Sequence, residues 1–192
     1  MRDPKSELVR YLNLAKDALV WKLDGLSEYD VRRPLTPTGT NLLGLVKHVA
    51  IVTAGYFGDT FGRPFPEVAA YYADDVEDNA DLWATEQESR AEILDLYDRA
   101  WAHANETFEA LSLDSLGRVP WWPAATNEVP LYVILTHMLA ELNRHAGHAD
   151  IVRELIDGAA GMRPDNSNLP DEDADWWQAY HDKVEKAARA AG

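Results

Sequence analysis

The chain contains no cysteine. Disulfides, thiolate metal sites and cysteine nucleophiles are thereby excluded, and any transition-metal site must be built from His, Asp or Glu. Basic residues are scarce: 18 Lys and Arg stand against 33 Asp and Glu, a formal net charge of −15. A field of that sign repels phosphate backbones and anionic lipid, so neither nucleic acid nor a membrane surface is an expected partner. Apolar runs are short. None approaches the roughly 20 residues of a membrane span. The first residues, Met1 to Glu7, are charged and lack the apolar run of a signal peptide, so a cytoplasmic protein is expected. What remains is 192 residues with an ordinary hydrophobic share of 46%, enough for one domain with a sizeable core.

Helical periodicity dominates. Leu8, Leu12, Ala15, Leu19 and Leu23 recur at helical spacing after Asp3, a capping residue, and Pro4, which suits a first turn. This predicts a helix from Pro4 to Asp24, stopped by Gly25. Pro34, Pro37 and Gly39 mark a loop. A second helix is expected from Thr40 or Asn41 to Phe61, and a third from Thr85, where Thr85 and Glu88 suggest a capping box. The acidic stretch between them, Glu67 to Ala84, lacks the glycine turn of a calcium loop and reads as a solvated loop or short helix. Leu116 to Thr126 reads as a further loop, carrying Trp121 and Trp122. A fourth helix is expected from Glu128 to Asp157, ended by Gly158. A last short helix, Asp173 to Ala190, offers Trp176, Trp177, Tyr180 and Val184 for packing on the body. No convincing alternating strand occurs. The fold class is all-α: a four-helix bundle over residues 1–158, with loops long enough for a crossover connection, and a C-terminal extension over 159–192 packed on it.

The fourth helix carries the densest chemistry. At about 100° per residue, Glu141 lies about 40° round from His137, His145 about 80° and His148 about 20°, so all four share one face. Leu131, Leu135, Met138, Leu139, Leu142, Ile151, Val152 and Leu155 mark the helix as largely buried. Buried ionisable groups are costly unless paired or metal-bound. Glu141 and His145, one turn apart, can converge on one ion. His48, set among apolar residues of the second helix, is the best third ligand, and Gly44 would let a neighbouring helix approach. His137 is the alternative to Glu141, and a candidate proton-transfer residue. His148 is placed as an orienting partner of a ligand. Arg144, Asp150, Arg153 and Glu154 read as an ion-pair network, and His103 and His181 as exposed. Two nitrogens and one carboxylate leave coordination positions open, as in catalytic zinc sites; nickel, iron or manganese would accept the same donors. Tyr56, Phe57, Trp121 and Trp122 are candidates to wall the pocket, with Tyr56 and Trp121 as cofactor-binding residues.

Two segments, Leu35 to His48 (LTPTGTNLLGLVKH) and Arg144 to Gly158 (RHAGHADIVRELIDG), resemble the DinB/YfiT-like superfamily, and within it an actinobacterial branch of unknown function. The resemblance runs from the first helix to Gly158. It implies a four-helix bundle with a crossover, often a homodimer, with a metal held by one His of the second helix and two ligands one turn apart on the last bundle helix. His48 and His145 occupy two of these places. The third is commonly His in the family and is Glu141 here, which resembles mycothiol-dependent maleylpyruvate isomerases, whose zinc has two His and one Glu. The isomerase also has a C-terminal domain contributing to its site, where this chain has only the tail after Gly158.

The resemblance further implies thiol chemistry. A metal-dependent S-transferase, joining a thiol such as mycothiol to a small electrophile, is the expected activity. A cysteine-free chain is compatible with it, because the nucleophilic sulfur would arrive with the cofactor. The competing expectations are a metal-dependent hydrolase and a non-catalytic dimeric binding or stress protein.

Overall fold

A computed structural model of the chain describes residues 2–192. Helix α1 spans Pro4–Val20, and its cap is the expected one: the Asp3 carboxylate accepts from the Ser6 N–H, with Pro4 in the first turn. A 3-10 turn, Trp21–Leu23, continues it. A short helix, α2, Glu28–Arg32, capped by Ser27, runs into the start of the expected loop, residues 31–39. Helix α3, Leu42–Phe57, is capped by Asn41 and is buried on nearly every side. Helix α4, Arg90–Ala110, starts later than predicted. The capping box is Ser89 with Glu92, while Glu88 accepts from the Thr85 N–H in the turn before it. A two-stranded antiparallel hairpin follows α4: β1 (Leu116–Arg118) lies in the expected loop, and β2 (Glu128–Pro130) takes the residues expected to open the fourth helix. Three-residue strands are too short for alternation to show in sequence. Helix α5 runs Leu131–Asp157 and stops where Gly158 turns left-handed, φ 79°.

Side-chain bonds between helices give their directions. Tyr97 donates to the Lys16 carbonyl and Lys5 to that of Leu111, so α1 and α4 are antiparallel. Lys47 pairs with Glu88, and Thr107 donates to the Phe57 carbonyl, so α3 and α4 run parallel. His48 meets His145 while Tyr56 meets His137, so α3 and α5 are antiparallel. The order is therefore up, down, down, up. Two parallel neighbours, α3 and α4, require a crossover, supplied by residues 58–89. The core lies between these four helices, with Leu12, Leu43, Val49, Tyr97, Trp101 and Leu135 almost fully buried.

Helix α6, Ala174–Ala191, starts where expected, and Asp173 caps it. Its aromatic face does not pack as predicted. None of its residues is buried, and Trp176, Tyr180 and Val184 are exposed. Only Trp177 is half-buried, beside a cavity of about 920 Å³ that it lines with Trp21, Arg153 and Leu169. The extension is instead tied at Gly161, whose carbonyl accepts from Lys22 and Trp21 and whose N–H donates to Asp150. Ile151 and Leu155, expected inside, are about 60% exposed. The predicted ion-pair network is also different: Asp150 pairs with buried Lys22, and Arg153 with Asp157. Deleting residues 171–192 keeps the Gly161 tie and removes a helix that buries almost nothing. We expect the melting temperature to fall by less than about 3 °C; a circular-dichroism melt showing a larger drop would mean that α6 stabilises the bundle.

Candidate metal centre

Three of the predicted side chains meet. His48 of α3 and Glu141 and His145 of α5 each offer one donor atom, and these lie within 4.8 Å of one another. His145 Nε2 is 2.8 Å from Glu141 Oε1, and His48 Nε2 is 3.5 Å from the same oxygen. The ring centroids of the histidines are 4.8 Å apart. Ligands about 2.1 Å from a tetrahedral ion sit about 3.4 Å from each other. The arrangement thus has the dimensions of a divalent site, drawn in slightly at the His145–Glu141 hydrogen bond.

The protonation states suit ligands. Burial acts to raise the Glu141 pKa, but hydrogen bonds from His145 and His48 outweigh it, so the carboxyl titrates below its ordinary value. Burial lowers the His145 pKa against the opposing pull of Glu141. Both effects keep a carboxylate and a neutral imidazole at neutral pH, the forms that bind cations.

A fourth side chain, missed in the sequence, supports the first. His48 Nδ1 is 2.6 Å from Asp81 Oδ2. The Asp81 pKa is held down by this hydrogen bond, against burial. A carboxylate on Nδ1 fixes the tautomer and points Nε2 at the site, as carboxylate–histidine pairs do behind metals. Asp81 belongs to the acidic stretch read as solvated, and no local pattern distinguishes it from Asp74, Asp75, Glu77 and Asp78. Its position is set from α3. Lys47 donates to the carbonyls of Ala80 and Trp83 and pairs with Glu88. Asn41 donates to the Leu82 carbonyl. A Cβ on Gly44 would collide with that carbonyl, so Gly44 admits a loop, where a helix was expected.

His148 does not take the orienting role predicted for it. Its ring lies 5.5 Å from that of His145, and His145 Nδ1 is buried without a hydrogen-bond partner. His103 is half-buried, with Nε2 donating to the Arg63 carbonyl far from the triad; His181 is exposed as expected. His137 stands one turn from Glu141 and packs on Tyr56, at 4.7 Å, and on Trp122, at 5.3 Å. Tyr56, Trp121 and Trp122 form one cluster, in which both indole N–H groups donate to the Tyr56 hydroxyl. Phe57, the fourth proposed wall residue, is fully buried against Phe108 and belongs to the core.

Among the described residues no helix is long and apolar enough to cross a membrane. The fold is similar to that in a crystal structure of a conserved protein from Enterococcus faecalis, with a TM-score of 0.64 at 14% identity, covering 83% of this chain and 100% of that one. No curated protein matches the chain. The family model described as mycothiol-S-transferase matches residues 7–158, which takes in all four bundle helices and the three converging side chains. The chain belongs to the mycothiol-S-transferase family, within the DinB-like group.

Proposed function

We propose that the protein is a metal-dependent thiol S-transferase that joins mycothiol to a small electrophile, with zinc as the metal. The observation that carries the reading is the convergence of His48, Glu141 and His145 from two helices, with Asp81 behind His48. A divalent ion on two neutral imidazoles and one carboxylate keeps a net positive charge and supplies Lewis acidity toward a thiol sulfur.

The chain's own groups do the rest. Asp81 holds His48 in one tautomer and one orientation. Glu141, bridging both histidines, offsets part of the cation's charge and fixes the spacing of the two nitrogens. Leu142 and Ala146, which follow Glu141 and His145 on α5, are buried, while the Glu141 side chain is one quarter exposed and so reachable from solvent. His137, on that helix face one turn away, is the group we assign to accept the thiol proton.

Two measurements test this. Elemental analysis of protein purified without a metal-affinity tag should find about one zinc per chain. The metal-loaded protein should then accelerate the reaction of mycothiol with monochlorobimane, and chelation should abolish the acceleration. Absence of metal after incubation with zinc, nickel, iron(II) and manganese salts would sink the site. Metal without thiol-dependent turnover would sink the activity.

A further inference from the structure

Tyr56 lies eight residues after His48 on α3, about 12 Å further along the helix, and His137 lies one turn, about 6 Å, from Glu141 on α5. Both rows lead away from the triad toward the same end of the α3–α5 pair, and the residues packed at that end are aromatic. Trp121 stacks on Tyr72, with centroids 5.0 Å apart and planes at 15°. Both rings remain nearly 40% exposed. They lie close to the α3 backbone because Gly55 has no Cβ to meet them, and Tyr72 donates to the Ile51 carbonyl.

The polar group at this end is incompletely used. Tyr56 is 9% exposed. Its oxygen accepts from Trp121 Nε1 at 3.3 Å and Trp122 Nε1 at 3.2 Å. Those two bonds fill both lone pairs and leave the hydroxyl hydrogen to donate. Among the described residues no acceptor takes it. Accepting two hydrogen bonds also polarises the O–H and makes it a better donor. A flat apolar surface beside one unspent donor suits a flat ligand carrying one acceptor oxygen.

We propose that this cluster binds the electrophile, and that the electrophile is a planar conjugated carbonyl compound. Its ring lies against Trp121, and its oxygen accepts from the Tyr56 hydroxyl. Tyr56 and Trp121 thereby serve the electrophile and not, as expected from sequence, the thiol cofactor. In the reaction, which rests on the S-transfer reading, the thiol adds across the conjugated double bond. The sulfur–carbon bond forms at the β-carbon, the π pair moves to the carbonyl oxygen facing Tyr56, and the thiol's proton ends on the α-carbon. Every atom of both reactants stays in the product, so no oxidant or leaving group is needed.

Binding is tested first, with an unreactive probe. Benzylacetone, which has the ring and the ketone but no conjugated double bond, should quench tryptophan fluorescence saturably in the metal-loaded protein. Trp121→Leu should weaken its binding by about tenfold, the size of a lost aromatic stack. Tyr56→Phe should weaken it by about three- to tenfold, a lost hydrogen bond, yet leave butylbenzene binding unchanged. Because Tyr56→Phe strips an acceptor from two indoles, its melting is compared with wild type; if it unfolds, the ketone-to-hydrocarbon affinity ratio of the wild type decides the same point. In turnover with mycothiol, benzalacetone should be preferred over methyl vinyl ketone by about tenfold in kcat/KM, and Trp121→Leu should remove that preference mainly through KM. No saturable quenching, quenching by mycothiol instead of the ketone, or an equal loss for both enones would overturn the assignment. Ketone binding that depends on Trp121, in a protein with no thiol-dependent turnover of any electrophile, would support the binding wall and defeat the S-transfer reading instead.

Discussion

Replacing His145 with alanine is expected to strip the metal and the thiol-dependent activity together. Four-ligand zinc sites bind with roughly 10–16 kcal/mol, so each ligand carries about 2.5–4 kcal/mol, on the order of a hundredfold in affinity. His145 stands to lose at least that much, because it is the most buried member of the triad and also holds Glu141 through the 2.8 Å contact. His48→Ala should match it. Glu141→Gln keeps the shape but removes the charge, and should fall between wild type and the histidine variants. His103→Ala provides the contrast: it loses a hydrogen bond to the Arg63 carbonyl and should keep its metal. Equal occupancy in all four variants, read by elemental analysis after dialysis, would remove the site. The pH dependence has a definite sign. The pKa values of Glu141 and His145 are both lowered, so the donors stay deprotonated through neutral pH. Metal release on acidification should therefore begin below the ordinary imidazole range, and release already at pH 7 would contradict the burial-driven lowering at His145.

The triad was readable because its chemistry is periodic. His137, Glu141 and His145 repeat at four-residue steps, and His48 sits alone in a run of apolar residues, so both helices announce which face is polar inside. Helix ends were readable for the same local reason: Asp3 with Pro4, Asp173, and Gly158 act within one turn of themselves. What escaped depends on distant contacts. Asp81 is one carboxylate among several, and only the Lys47, Asn41 and Gly44 contacts bring it to His48. The α4 start was misplaced because Thr85–Glu88 and Ser89–Glu92 carry the same spacing; one Glu88 oxygen accepts from the Thr85 N–H while the other pairs with Lys47. Ile151, Leu155 and the aromatic face of α6 were expected inside because apolar spacing marks an apolar face without saying what covers it.

Asp81→Ala should lower metal affinity about 10- to 100-fold, the usual consequence of losing an orienting carboxylate, with little change in melting temperature, since the Asp81 side chain is partly exposed. Gly44→Ala should reach the same affinity by another route. On helix propensity alone the substitution favours α3 by about 1 kcal/mol. The new methyl, however, meets the Leu82 carbonyl, a backbone atom that cannot rotate away. Relief requires residues 80–83 to move off α3, breaking the bonds from Asn41 and Lys47 and drawing Asp81 from His48. The clash costs about 1–3 kcal/mol and so exceeds the propensity gain, giving a net loss of stability that Asp81→Ala does not share. The double variant discriminates the routes. If Gly44 acts on the metal only through Asp81, then Gly44→Ala added to Asp81→Ala should leave metal affinity where Asp81→Ala alone put it, a coupling energy as large as the single effect. Additive losses would mean that the collision deforms α3 itself and displaces His48, and that the loop is not what holds the imidazole in place.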